Sequence, residues 1–290
     1  RSRGLGDVYK RQQHESSWHD NAQNATICMV YVSNSFFTLA CSAVDDEAEV
    51  SFSNLGSEEY PQMFYVEYVP CQEGVYYTVD NFNNTVLPEW QDLIVEVNSP
   101  LNSAYGLSRF NRLAEDEEDG FWQLIWNSKA DSKAAWEAWS SNQNVQEWAE
   151  RHADVLTCDE EKRYSFDAYI ARPNNTFGEF ELENFISEYI QCLYREDKKP
   201  EDLRAVVNEL EAFLNEAQTL PGPFTYVILG PDYEAEEVDF FWGNFYQSED
   251  QRKTFDGEWQ KLSPKVEDNW NLVSNCQEPR YYNSGDIPKS

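Results

Sequence analysis

Basic residues are scarce in this chain. Only 22 Lys and Arg stand against 53 Asp and Glu, for a formal net charge of −31. Phosphate backbones are held by clustered Lys and Arg, so the balance speaks against nucleic acid as a partner and against anionic membrane surfaces. The surplus acid reads first as a solvated surface that keeps the protein soluble. The alternative is a calcium-binding surface at the cluster Asp116, Glu117, Glu118 and Asp119, although no EF-hand loop surrounds it. Histidine is scarcer still. His14 and His19 precede the region read as mature, leaving His152 alone. One histidine does not make a zinc site, so no metal is expected, and it allows no readable Ser-His-Asp grouping. There is no P-loop and no glycine-rich dinucleotide fingerprint. Beyond one N-terminal run, no segment is apolar enough to cross a bilayer, so no membrane insertion of the mature chain is expected.

What the chain has is length for two domains and many aromatics, including ten Trp among 290 residues. Aromatic side chains give large contact areas and line pockets. Residues 1–12, ending Asp7-Val8-Tyr9-Lys10-Arg11-Gln12, read as a sequencing-adapter artefact outside the fold. Residues 13–43 read as a leader. Within it, the charge-free run Val30–Ala43 follows Met29, ends in small residues and precedes Asp45 and Asp46. That is the pattern of a signal-peptide h-region, and a buried strand is the alternative. The expectation is export, to the periplasm or the medium. Residues 44–59 read as an acidic linker.

The chain repeats itself. Phe64-Tyr65-Val66-Glu67-Tyr68-Val69-Pro70-Cys71 matches Phe185-Ile186-Ser187-Glu188-Tyr189-Ile190-Gln191-Cys192 at a shift of 121. Gly120–Trp126 matches Phe240–Tyr246 and Trp139 matches Trp259, both at 120; Cys158-Asp159-Glu160 matches Cys276-Gln277-Glu278 at 118. These landmarks define a duplication, residues 60–172 and 180–290, joined by a polar linker at 172–176. Each copy reads strand, helix, strand, strand, helix, strand. In the second copy the strands are 185–192, 224–230 and 239–246, with a short one after Cys276. Its first helix opens at Pro200, with Glu201 and Asp202 in the first turn. Leu203, Val206, Val207, Leu210, Phe213 and Leu214 share one face of that helix. Its second helix is expected over roughly 249–273. In the first copy Pro88 disturbs the first helix.

This order is the split βαβ, ferredoxin-like pattern, in which the first and last strands are antiparallel neighbours. The cysteines at their facing ends then pair as Cys71–Cys158 and Cys192–Cys276, across separations of 87 and 84 residues. Four free buried thiols are the alternative.

The two copies resemble the dimeric α+β barrel superfamily, which includes antibiotic-biosynthesis-type monooxygenases, EthD-like proteins and haem-handling relatives. The paired aromatic strands and the Cys-Asp-Glu and Cys-Gln-Glu endings also resemble a group of exported marine bacterial proteins. The resemblance implies an α+β fold in which two tandem ferredoxin-like βαββαβ repeats set their sheets face to face within one chain. It implies a monomer or homodimer with a small-molecule ligand and either no cofactor or haem. It carries over no catalytic signature.

Strand alternation sorts the candidate site residues. Phe121, Gln123 and Ile125 share a face with Phe241, Gly243 and Phe245. Trp122, Leu124 and Trp126 share the other with Trp242, Asn244 and Tyr246, and this more amphipathic face is the candidate cavity wall. Glu67 and Glu188 recur at equivalent points of a central strand, each followed by Tyr68 or Tyr189. They are candidate general bases, or else reach the open rim of the sheet. His152 points inward at the place of Trp270, as a haem ligand, a proton shuttle or a satisfied core residue. Three functions remain. The first is an exported binding protein for a small apolar or aromatic ligand, using Trp122, Trp126, Trp242, Asn244, Tyr246, Tyr68 and Tyr189. The second is a cofactor-free oxygenase, isomerase or haem-handling enzyme using His152, Glu67 or Glu188. The third is an interaction module without a ligand.

Overall fold

A computed structural model describes residues 63–289 except 111–115, 218–219 and 263, with backbone alone at 170–176, 262 and 264. The adapter and leader expectations, Cys28 and Cys41, and the acidic linker lie outside the described residues. The first half contains β1 (Met63–Glu73), α1 (Leu87–Glu96), β2 (Ser103–Arg109), β3 (Gly120–Trp126), α2 (Lys129–Ser141), α3 (Gln143–His152), β4 (Leu156–Cys158) and β5 (Tyr164–Thr176). The second contains β6 (Phe185–Tyr194), α4 (Pro200–Glu216), β7 (Phe224–Pro231), β8 (Phe240–Tyr246), α5 (Glu249–Leu262), α6 (Pro264–Val273), β9 (Ser274–Cys276) and β10 (Arg280–Asp286).

The first half orders its long strands β5-β1-β3-β2, and the second orders its own β10-β6-β8-β7. β2 then pairs with β10, and β5 with β7, so eight strands close into one antiparallel barrel. Closure satisfies the backbone groups that an edge strand would leave open. The short strands β4 and β9 extend the far ends of β1 and β6, placing Cys71 opposite Cys158 and Cys192 opposite Cys276. Both pairs are disulfides, as the strand order predicts.

Alternation along each strand separates two apolar layers. The barrel interior gathers Val66, Tyr68, Ile125, Phe166, Ala168, Tyr189, Val227 and Leu229, with Phe121, Phe241 and Phe245 packed against them. The outer face of β3, carrying Trp122, Leu124 and Trp126, packs in one cluster with Trp90, Leu93 and Ile94 of α1 and with Trp139 and Val145. The outer face of β8 does the same under α4, through Trp242, Tyr246, Leu203, Val207 and Leu210. The amphipathic face of strand three is therefore the face that meets the helices.

Local deviations have local causes. α1 is entered through a helical turn at Val79–Asn81 and a π-type segment at Phe82–Val86, and Pro88 stands in its first turn. Proline has no N–H to offer the ordinary ladder. The helix expected over 249–273 is two helices, because Pro264 opens α6 as a new one. The strand expected after Cys276 is β10, and a further short strand, β9, ends at Cys276 itself. The expected linker at 172–176 is instead strand backbone. After a register shift, β5 carries its pairing with β7 on to Thr176, opposite Phe224.

The disulfides close loops of 87 and 84 residues. In the chain-entropy account each contributes about 4.5 kcal/mol. Reduction is expected to lower the melting temperature by roughly 10 °C or more, since each kcal/mol moves Tm by about 2–4 °C at this size. An unchanged melt after complete reduction contradicts the stapling role.

Candidate functional site

The outer face of the second half encloses a cavity of about 370 Å³, floored by β6 and β8 and roofed by α4, α5 and α6. It brings together Glu188, Trp242, Asn244 and Tyr246, four of the residues expected to form a site, with Phe255, Asp256, Trp259 and Trp270 from the helices. Ligand pockets run from about 300 to 1,000 Å³, so the size is adequate for a small molecule.

Its polar centre is Glu188, only 7% exposed. The Trp242 Nε1–H donates to Asn244 Oδ1 at 2.8 Å, and Asn244 Nδ2 donates to Glu188 Oε2 at 2.8 Å. The Tyr246 hydroxyl donates to the same oxygen at 3.3 Å, and Tyr281 also hydrogen-bonds to this carboxylate. Burial first, and the Glu188 charge second, hold the Tyr246 and Tyr281 phenols well above their ordinary range. Asp256 is pushed up to about 6, chiefly by burial and then by Glu188, against the opposing pull of Arg252. Arg252 donates to Asp256 at 2.8 Å and to both carboxylate oxygens of Glu249 at 2.7 and 2.9 Å. Asp256, Arg252 and Tyr281 were not singled out by sequence. An Arg and Asp four apart on a helix read as a solvated pair, and only the fold turns Asp256 toward the strand bearing Glu188.

In the first half the equivalent carboxylate is closed off. Glu67 is 1% exposed, which overturns the open-rim reading. Its Oε2 accepts from the indoles of Trp126 and Trp136 at 2.8 and 2.7 Å. Its Oε1 accepts from Arg163 Nε at 2.9 Å and Ser165 Oγ at 3.3 Å. Its charge is paired and both its oxygens are engaged. The cavity beneath these helices is only about 110 Å³, with Trp122, Trp126 and His152 in its wall. The Trp122 Nε1–H is buried without a partner. His152 Nε2 lies 3.1 Å from Glu89 Oε2, within a buried cluster edge beside Trp148.

Tyr68 and Tyr189 fall on the other side of the sheet from the two acids and join neither outer pocket. Their hydroxyls meet at 3.1 Å in the barrel interior, and Gln123 Nε2 donates to Tyr68 at 2.9 Å. A further cavity of about 610 Å³ lies in the interior, lined by apolar residues such as Phe64, Ile125, Phe185 and Leu229, with Gln123 and Tyr105 in its wall. The acidic cluster at 116–119 is engaged by protein: Asp116 pairs with Arg109 and Arg280, and Glu118 with Arg109.

Among the described residues, those lining these three cavities do not fit haem. His152, the one described histidine, is held by Glu89 in the wall of the 110 Å³ cavity. The four described cysteines are in disulfides. Among the walls of the 370 and 610 Å³ cavities there is no histidine or methionine, and Cys276, the one cysteine there, is oxidised. Tyr105 is held protonated by burial and by Asp286.

By sequence, no family profile matches the chain and no curated protein is similar to it. Solved structures do resemble it. A chlorite dismutase variant from Candidatus Nitrospira defluvii aligns at TM-score 0.48 and 11% identity, over 77% of this chain and 92% of that one. A candidate monooxygenase from Fusobacterium nucleatum aligns at 0.44 and 9%, over 78% and 92%. Another from Lactobacillus acidophilus aligns at 0.42 and 8%, over 78% and 94%. At these values no activity passes from them to this chain.

An aspartate whose carboxyl is raised on folding binds its proton more tightly in the native state. The fold therefore loses stability as pH rises through the window from 3.8 to about 6. Asp256→Asn removes that loss. Its Tm relative to wild type is expected to rise by a few degrees between about pH 4 and pH 7.5, a modest change because the carboxylate is partly solvated. A difference independent of pH contradicts the assignment.

Proposed function

We propose that the protein is an exported binding protein for a small ring-bearing molecule, held in the aromatic pocket of the second half. In this reading residues 60–172 and 180–290 are tandem copies of one ferredoxin-like unit, and of the two pockets under the helices the second copy's is the one with room for a ligand. The observation that carries it is the 370 Å³ cavity walled by indole and phenyl rings, with a buried carboxylate, an amide and phenols converging on one side. Apolar walls with few, convergent polar groups are the usual make-up of a ligand site. Two intrachain disulfides suit an oxidising compartment. Among the described residues no helix is long and apolar enough to cross a membrane. The barrel closes within one chain, so a second copy is not required to complete it.

One observation favours a second reading, proton-transfer catalysis without a cofactor. Asp256, brought to about 6 in the same pocket wall as Glu188, is poised to exchange a proton near neutrality. A ligand-free module suits a solidly packed interior, and the cavities do not support it.

Trp242, Trp259 and Trp270 in the wall make fluorescence a direct probe. Titration with a panel of small aromatic molecules is expected to give saturable quenching for at least one. Val266→Trp, which fills the cavity from α6, is expected to weaken that response at least tenfold with Tm held within a few degrees. No saturable response from the panel contradicts the reading.

A further inference from the structure

We infer that the ligand of the second-half pocket is an organic cation, an ammonium group carried on or beside a ring. The inference rests on the pocket being a ligand site and adds the charge of what it takes.

Two carboxylates occupy matching places on β1 and β6. On β1 Glu67 lies opposite Leu124 and Ser165; on β6 Glu188 lies opposite Asn244 and Tyr281. In the first half the protein supplies the countercharge. Arg163, one residue before the strand that pairs with β1, reaches Glu67 at 2.9 Å, and Trp136 donates from α2 at 2.7 Å. Both donors are missing in the second half. The ladder puts Tyr164 opposite Tyr68 and Arg280 opposite Tyr189, so Pro279 holds the place of Arg163. The repeat spacing that matches Trp139 with Trp259 puts Asp256 at the place of Trp136.

The second half has therefore exchanged a cation for a proline and a neutral indole for a second acid. Glu188 is left with three neutral hydrogen-bond partners, Asn244, Tyr246 and Tyr281. A carboxylate this buried is costly without an opposite charge. Arg252 is a nearby base; it donates to Glu249 and Asp256, and it reaches Glu188 only through Tyr281, whose ring it covers at 4.4 Å and whose hydroxyl it meets at 3.4 Å. Among the described residues no Lys or Arg lines the cavity, which is about 370 Å³ against about 110 Å³ in the first half. Trp242, Trp259 and Trp270 wall it. Indole rings around a carboxylate are the arrangement that attracts ammonium groups, by cation–π and ion-pair attraction together. An external ammonium would occupy the role that Arg163 fills for Glu67.

The test uses the full, oxidised chain and two probes of nearly equal shape, benzyltrimethylammonium and its uncharged carbon analogue neopentylbenzene, followed by calorimetry and indole fluorescence. The cation is expected to bind at least tenfold more tightly. Glu188→Gln is expected to cut that preference at least fivefold, the remainder resting on Asp256 and Glu267 in the same wall. Pro279→Arg, which restores an internal cation, is expected to exclude the charged probe by a route that leaves Glu188 in place. Equal or tighter binding of the neutral probe overturns the inference but leaves the pocket as a ligand site. Failure of both probes to bind overturns the pocket reading along with it.

Discussion

Closing the sheet onto itself is the constraint that the other features obey. Once β2 pairs with β10 and β5 with β7, no long strand has a free edge, and each strand residue must face either the interior or the helices. The interior takes the phenylalanines and the Tyr68–Tyr189 contact, which ties β1 to β6 across the barrel. The outer faces take the tryptophans and require helices to cover them. Glu67 and Glu188, one residue out of phase with the tyrosines, are thereby carried to the helix side, where both are buried and their oxygens need partners.

How each half meets that need sets them apart. The first half spends Arg163, Ser165 and two indoles on Glu67 and leaves a smaller cavity of about 110 Å³. The second meets Glu188 with neutral donors, places Asp256 in the same wall and leaves open volume. The same backbone plan thus yields one consolidated core and one polar, aromatic-walled pocket. The disulfides stand at matching ends of β1 and β6, each tying its strand to the short strand beside it, while the chemistry over the two sheets differs.

Much of this was legible in the chain because its landmarks recur. Cysteines and aromatic strands at nearly constant spacing dictated the pairing Cys71–Cys158 and Cys192–Cys276, and the apolar stripe of α4 announced its buried face. Alternation also separated Glu67 from Tyr68, so grouping both with one site conflicted with a rule the sequence already displayed. Other features depend on tertiary context. Polar residues 172–176 form strand because barrel closure offers them β7 as a partner. Asp256 became visible as a site residue only when α5 was laid over β6 and β8. Pro264 was a readable break in the last helix.

The account's central claim is that the second half alone retains a cation-receptive pocket. A crystal soaked with 4-bromobenzyltrimethylammonium tests it most directly, because the anomalous signal of bromine locates the probe without assumption. The account predicts one bromine peak among Trp242, Trp259 and Trp270, with the ammonium toward Glu188. Bromine confined to the barrel interior or to the first half would contradict it.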